Sequence, residues 1–317
     1  MKKQFVESLT AGGQIEDVFV LAEKRLAQKK DGSNYLTVRF ADRTGSIRGV
    51  AWDNVEKITA AGAAGEFVRV VGSVGEYRGE PQAVVREMSP VDPASVNAAD
   101  FLPATGQDIE QMFDRLVRMT QAIDSAPLRD LMAAFWNDPG FVERFKKAPA
   151  AKMMHHAYIG GLLEHCLSMA LLADKIARHY GGVDRDRLLT GAVLHDIGKV
   201  REFSYRHSID YSDEGRLVGH IAIGLEMIDE KIRSLEGFPE EERRLLKHMI
   251  ISHHGAMEYG SPEPPKTVEA VLLHYIDEID SKVNGIREFI AAQGEEDTWT
   301  PYHRVLGRHF YRGPGKE

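Results

Sequence analysis

The chain holds a single cysteine, Cys166, in 317 residues. That excludes an intrachain disulfide framework and suits a reducing compartment. Cys166 itself, on an expected helix, reads as a small buried hydrophobe. No apolar run approaches the roughly 18 residues that a membrane-spanning helix needs. The opening MKKQFVESLT carries two lysines with no apolar stretch behind them, which is not a secretory signal. A cytoplasmic location without a membrane partner is the expectation. Phosphate cradles are missing too, since GAAG and GSVG lack the lysine and context of a P-loop. No Ser-His-Asp or Cys-His arrangement stands out, and there is no internal repeat or low-complexity tract.

What is present is an ordinary globular composition, 43% hydrophobic and 28% charged, long enough for two domains with cores of their own. Net charge is −8, which alone would argue against a nucleic-acid partner. The charge is uneven, however: residues 1–91 carry 13 Lys and Arg against 12 Asp and Glu. The rest of the chain holds nearly all the excess acid, part of which bound divalent cations would offset. Charge therefore neither requires nor excludes such a partner.

The two parts of the chain have different periods. Residues 14–28, 34–42, 45–53, 66–77 and 80–91 alternate at period two and are rich in Val, Ile, Phe and Tyr. KKDGSN, DRTG and YRGE supply turns between them. A short helical segment, NVEKITAAGAA, lies between the third and fourth strands. Five strands with a helix in that place is the order of an oligonucleotide-binding (OB) barrel, which holds single strands on cationic and aromatic side chains. Lys29, Lys30, Tyr35, Arg39 and Trp52 are the candidate contacts, with Arg48, Arg69, Tyr77 and Arg78 behind them. Residues 92–107 form the expected linker. From 108 to 294 the pattern is helical almost throughout, and residues 295–317 make an aromatic and arginine-bearing tail.

LTGAVLHDIGKVREF, residues 189–203, places His195 beside Asp196 at the end of an apolar helix. Alone, such a pair is weak evidence. Along the helical half it acquires company: His165 in GGLLEH, His220 after Gly219, His253-His254 before Gly255, and Asp277 in AVLLHYIDEID. Each falls at or near a helix end or on a helix face, and a bundle can converge such side chains on its centre. Asp277 has strongly apolar neighbours, so its carboxylate requires a partner if buried. Lys199, one turn beyond the pair, is a candidate general acid or phosphate clamp.

The order H…HD…H…HH…D resembles the HD-domain metal-dependent phosphohydrolase superfamily in its two-metal form. HHAYIGGLLEHCLS, GAVLHDIGK, YSDEGRLVGHI, SHHGAMEYGSPEPPKTVEA and LHYIDEIDSK are similar, more narrowly, to the YhaM family of bacterial 3′→5′ exoribonucleases, which also carries an OB-like domain ahead of the HD domain. The resemblance implies His165, His195, Asp196 and Asp277 around one metal. It implies Asp196 bridging to a second metal held by His220, His253 and His254. Asp280 is left a structural or supporting role. His155, His156, His274 and Lys282 match family positions and are expected to contact substrate.

The expected activity is metal-dependent hydrolysis of single-stranded RNA, or DNA, from the 3′ end by water activated between two metals. A histidine-rich shell suits Mn²⁺, Fe, Co, Ni or Zn better than Mg²⁺, and the resemblance implies Mn²⁺. Two alternatives stay open. One is a phosphohydrolase acting on nucleotides or cyclic dinucleotides, although HHGAMEYGSP replaces the HHE…GYP signature of the latter. The other is an RNA-binding protein with a regulatory HD domain. A homo-oligomer is a further expectation.

Overall fold

The computed structural model describes residues 2–29, 32–97, 100–152, 155–205, 209–291 and 297–313. The chain divides into two compact units, Met1–Ala104 with Ser204–Asp210, and Thr105–Phe203 with Tyr211–Glu317.

Alternation in the sequence becomes a closed five-stranded barrel in the first unit. Its strands are β1 (Gln14–Gln28), β2 (Asn34–Asp42), β3 (Gly45–Ala51), β4 (Phe67–Tyr77) and β5 (Glu80–Pro90), with α1 (Val55–Ala60) between β3 and β4. They run in the order β1-β2-β3-β5-β4 around the barrel, and β3 with β5 is the parallel pair. β2 shows the cause most plainly. Leu36, Val38 and Phe40 are buried in the barrel core, while Tyr35, Thr37 and Arg39 alternate outward. β1 serves two neighbours, β4 with its first half and β2 with its second, and a bulge between Leu21 and Glu23 bends it between the two tasks. The β4–β5 hairpin turns on Arg78 and Gly79 at φ 56° and 83°, the paired positive φ of a type I′ turn.

The second unit is built from helices: α2 (Ile109–Gln121), α3 (Ala126–Trp136), α4 (Pro139–Lys147), α5 (Gly161–His179), α6 (Arg185–Leu194), α7 (Lys199–Glu202), α8 (Asp213–Arg233), α9 (Glu240–Ser252) and α10 (Val268–Ala291). α6 is buried along its whole second half, Leu188–Leu194, and so occupies the centre of the unit. Met169 and Ala173 of α5, Leu188 and Ala192 of α6, Met249 of α9, and Leu273 and Ile276 of α10 share one core. Candidate ligands on or next to these four helices are thus fixed by common packing. In the tail the backbones of Trp299 and Tyr311 form an isolated bridge.

Asp138 ties α4 to α8. Its side chain accepts from the Phe141 amide at 3.0 Å, capping α4, and pairs with Lys231 at 2.8 Å. Lys231 and that amide hold the Asp138 carboxyl below its ordinary range. A depressed carboxylate stabilises the fold above its unfolded pKa, and that stability fades as pH falls through the folded pKa. Asp138→Ala is therefore expected to cost about 1–2 kcal/mol near neutral pH. Urea denaturation checks this, and the gap from wild type should narrow on acidification.

Candidate metal centre and nucleic-acid face

Glycines let the candidate ligands meet. Gly160 is left-handed at φ 82° at the start of α5, and a Cβ on Gly161 would lie 2.1 Å from the His156 carbonyl oxygen. The loop before α5 therefore folds tightly onto its first turn, four residues from His165. After α6, His195 keeps helical angles, and the chain turns through Asp196 and Ile197 to Gly198. A Cβ on Gly198 would lie 2.0 Å from the His220 carbonyl oxygen, so the His-Asp corner sits directly on α8. Gly219 at φ 77° and ψ 155° breaks α8 just before His220. Glu202 repairs the break: its Oε1 accepts from the His220 amide and faces the ring Nδ1, both at 3.0 Å.

α9 ends at Ser252, and His253 and His254 occupy its closing turn. Gly255, at φ 81°, lies so near His274 that a Cβ would be 2.4 Å from the ring. His274 in turn faces the His253 carbonyl with Nδ1 at 2.9 Å, so it braces this turn from α10.

Four of the five ligand rings share one orientation, and His254 turns Nδ1 inward instead. His165 Nδ1 faces Asp280 at 2.8 Å, His195 Nδ1 the Ala192 carbonyl at 3.1 Å, and His253 Nδ1 the Ile250 carbonyl at 2.7 Å. With Glu202 on His220, each Nδ1 donates to an oxygen, and each Nε2 lone pair is left for the centre. Asp196 stands between two sets. Its Oδ2 is 3.6 Å from His165 Nε2 and 3.3 Å from His195 Nε2, and Asp277 Oδ1 is 3.5 Å from His165 Nε2. Its Oδ1 is 3.4 Å from His220 Nε2 and 3.7 Å from His253 Nε2. In each set, His165-His195-Asp277 and His220-His253-His254, the donor atoms lie within 4.8 Å of one another.

Asp196 Oδ1, His220 Nε2, His253 Nε2 and His254 Nδ1 are buried without a hydrogen-bond partner among the described residues. Leaving one such atom unmade costs about 1–3 kcal/mol, so four around one point call for a cation. The nitrogen and carboxylate donors fit a divalent transition metal. Electrostatics agree. Burial, then the His195 charge, pushes His253 well below its ordinary pKa, and burial with His220 lowers His254, so both rings are neutral donors. Burial opposes the Asp196 charge, but Lys199, His195 and His220 outweigh it and keep the carboxyl well below its usual range. Lys199 Nζ donates to Asp196 Oδ2 at 2.6 Å, and this partner raises its pKa against the effect of burial.

Other candidate residues divide. His155 sits with its ring 6.3 Å from that of His165, and burial, with the His165 and Lys199 charges, lowers its pKa to about 4. His156, at φ 54°, is directed to Asp280 Oδ2 at 3.1 Å and Tyr158 Oη at 2.8 Å. Lys282 is not brought to the centre, because its ammonium pairs with Glu278 on the exposed side of α10. Two supporting carboxylates do their work one step out. Glu202 carried no signal in the sequence beyond its place near the His-Asp pair. Asp280 accepts from Ser168, from Asn284 at 3.0 Å and from two histidines, so the third candidate cluster, His156-His165-Asp280, is a hydrogen-bonded network.

On the barrel, Tyr35 and Trp52 stack with centroids 5.0 Å apart and planes at 25°, and Lys29 Nζ lies 5.2 Å from the Trp52 ring. Trp52 is 46% exposed, so it lies at the surface and not in the core. Lys30 lies outside the described residues. Arg39 pairs with Glu23 at 3.2 Å, and both line a groove of about 640 Å³ with Arg25, Thr37, Arg48 and Gln82. Arg69 is paired with Glu16 at 2.6 Å, and Arg78 lies over exposed Tyr77.

A closed OB barrel joined in one chain to helices that gather a His-Asp pair with five further donors defines an HD-domain hydrolase with a nucleic-acid-binding module. Residues 162–282 match the HD domain family, and residues 20–91 match the OB-fold nucleic acid binding domain family. The chain is 34% identical to the 3′-5′ exoribonuclease YhaM of Bacillus subtilis, covering 86% of each chain. It is 32% identical to that of a Geobacillus species, over 95% of this chain and 92% of the other. Against the protein of Listeria welshimeri the identity is 33%, over 86% and 87%. The chain belongs to the YhaM 3′-5′ exoribonuclease family, and its HD domain makes it dependent on divalent metal.

Removing a carboxylate that aims a ligating imidazole typically lowers metal affinity about 10–100-fold. Glu202→Gln and Asp280→Asn are each expected to show that loss for Mn²⁺ by isothermal titration, with unchanged helical circular dichroism.

Proposed function

We propose that this chain removes nucleotides from the 3′ end of single-stranded RNA by hydrolysis at a two-metal centre. The observation that carries this is Asp196, whose two carboxylate oxygens face two separate donor sets and whose Oδ1 is buried without a partner. His165, His195, Asp277 and Asp196 Oδ2 would hold one cation. His220, His253, His254 and Asp196 Oδ1 would hold the other. The nitrogen-rich donor set favours Mn²⁺, Fe, Co, Ni or Zn, with Mn²⁺ the first choice. Its relatives are 3′-5′ exoribonucleases, and the direction and the RNA substrate follow theirs.

When bound, such cations lower the pKa of water and neutralise charge developing on a phosphodiester. The chain's own residues do the rest. Glu202, Asp280 and the backbone carbonyls of Ala192 and Ile250 hold four imidazoles in the tautomer that presents Nε2. Water adds to the terminal phosphorus and releases one proton to solvent, the bond to the penultimate 3′ oxygen breaks, and a nucleoside 5′-monophosphate leaves. That oxygen departs as a hydroxyl once protonated. Lys199, the ammonium on Asp196, is placed to supply the proton or to steady the phosphate. His155, neutral near neutral pH and beside His165, is a substrate-contact candidate.

The strand would run over the barrel's Tyr35–Trp52 stack and its arginine-lined groove, with Lys29 beside the stack. In this division residues 1–91 bind, 92–107 link, 108–294 hydrolyse, and 295–317 form a tail. Among the described residues no helix is long and apolar enough to cross a membrane. With one cysteine, a cytoplasmic setting accords with the chemistry.

A 5′-labelled single-stranded RNA incubated with Mn²⁺ should shorten as a ladder from its 3′ end. EDTA and Asp196→Ala should each abolish that ladder. An intact RNA alongside a cleaved cyclic dinucleotide would refute the reading. Base–aromatic stacking contributes about 1–3 kcal/mol per base, so Trp52→Ala should weaken RNA binding by that order while leaving Mn²⁺ affinity unchanged.

A further inference from the structure

Beside Asp280 the helical unit contains a cavity of about 570 Å³, and none of the seven candidate metal ligands lines it. Its walls come from α2, α5 and α10. Size alone puts it in the range of small-molecule pockets. Its chemistry is more specific. Arg115 of α2 and Arg287 of α10 both reach the cavity, and neither guanidinium has a hydrogen-bond or ion-pair partner among the described residues.

Two carboxylates oppose them, and they are not equivalent. Glu164 is fully occupied, accepting from Thr105 Oγ1 at 2.6 Å, Gln107 Nε2 at 2.7 Å and Tyr158 Oη at 3.1 Å. Among the described residues Glu288 accepts only from the His156 amide, at 3.2 Å through Oε1, and its other oxygen faces no donor there. Met112, Leu167 and Leu171 provide an apolar wall. The pocket therefore presents two guanidiniums without partners among the described residues, one acceptor oxygen and an aliphatic wall. Two guanidiniums suit a phosphate, a carboxylate suits a ribose hydroxyl, and the wall suits a base.

We infer that this cavity binds a nucleoside monophosphate, with its phosphate between Arg115 and Arg287, its ribose on Glu288 and its base against Met112, Leu167 and Leu171. The choice of ligand rests on the proposed hydrolysis, which releases this class of molecule; the pocket itself rests on its own residues. Its floor reaches the metal centre through one group. Asp280 accepts from His156, which lines the cavity, and from His165, a candidate ligand.

The test uses the full chain in EDTA, so that metal-mediated binding of phosphate at the His-Asp centre is absent. 5′-AMP, adenosine and inorganic phosphate are titrated separately by calorimetry. AMP should bind saturably, and adenosine and phosphate should each bind at least tenfold more weakly. The double variant Arg115→Ala/Arg287→Ala should lose at least tenfold in AMP affinity, and Arg287→Glu should lose as much. Both arginines are exposed, and unchanged Mn²⁺ binding without EDTA confirms that each variant is folded. No AMP binding, equal affinity in the arginine variants, or phosphate binding as tightly as AMP would overturn the inference. RNA shortening by the same wild-type preparation is scored separately. AMP binding without shortening would refute the exonuclease reading and uphold the pocket, and the converse would refute the pocket alone.

Discussion

The helical unit is organised around one buried carboxylate. Asp196 is almost wholly removed from solvent, yet one of its oxygens makes no hydrogen bond and the other is shared by Lys199 and two imidazoles. Burying a charge in that way is costly unless cations compensate it. Most local irregularities of the unit serve to bring compensation within reach. Gly198 brings the His-Asp corner against α8, the break at Gly219 swings His220 inward, and Gly255 clears a path for His274 to brace the His253 turn. These positions are costly to fold, and the centre they build is what gives them a purpose.

Much of this was legible in the sequence, for identifiable reasons. Period-two runs between short turn signals located the five strands of the barrel, because inward and outward residues must alternate when one face is core. The centre was legible because metal-capable side chains of its helices stood near glycines or helix ends. What the sequence hid was the layer behind. Glu202 reads as an ordinary helical acid until α8 folds against it, and Asp280, given only a supporting role by the resemblance, meets His165 and His156 once α10 packs on α5, because which carboxylate faces which imidazole is settled by tertiary contact. The same holds for His156, which the pattern places beside substrate and the fold directs to Asp280. Lys282 follows a helical rule instead, pairing one turn back with Glu278. The Tyr35–Trp52 stack joins the start of β2 to the residue just past β3, a register that strand pairing sets and composition does not.

The two units divide the work in a way their chemistry makes sensible. The barrel offers stacked rings and arginines whose charge is partly spent on Glu23 and Glu16, suited to holding a strand without reading its sequence. The helical unit offers a site whose donors are imidazoles and carboxylates, suited to cations. Acidic excess outside the barrel is then no obstacle to a polyanionic substrate, since divalent metal bound at the centre would offset part of it.

If Asp196 joins two metal subsites, each chain should hold two ions that depend on it. The most direct measurement is the number of Mn²⁺ ions retained per chain after equilibrium dialysis, read by elemental analysis against protein concentration. The account predicts two per chain, with Asp196→Asn losing tight retention of both because each set relies on one of its oxygens. Retention of a single ion, or two ions undiminished in that variant, would contradict it.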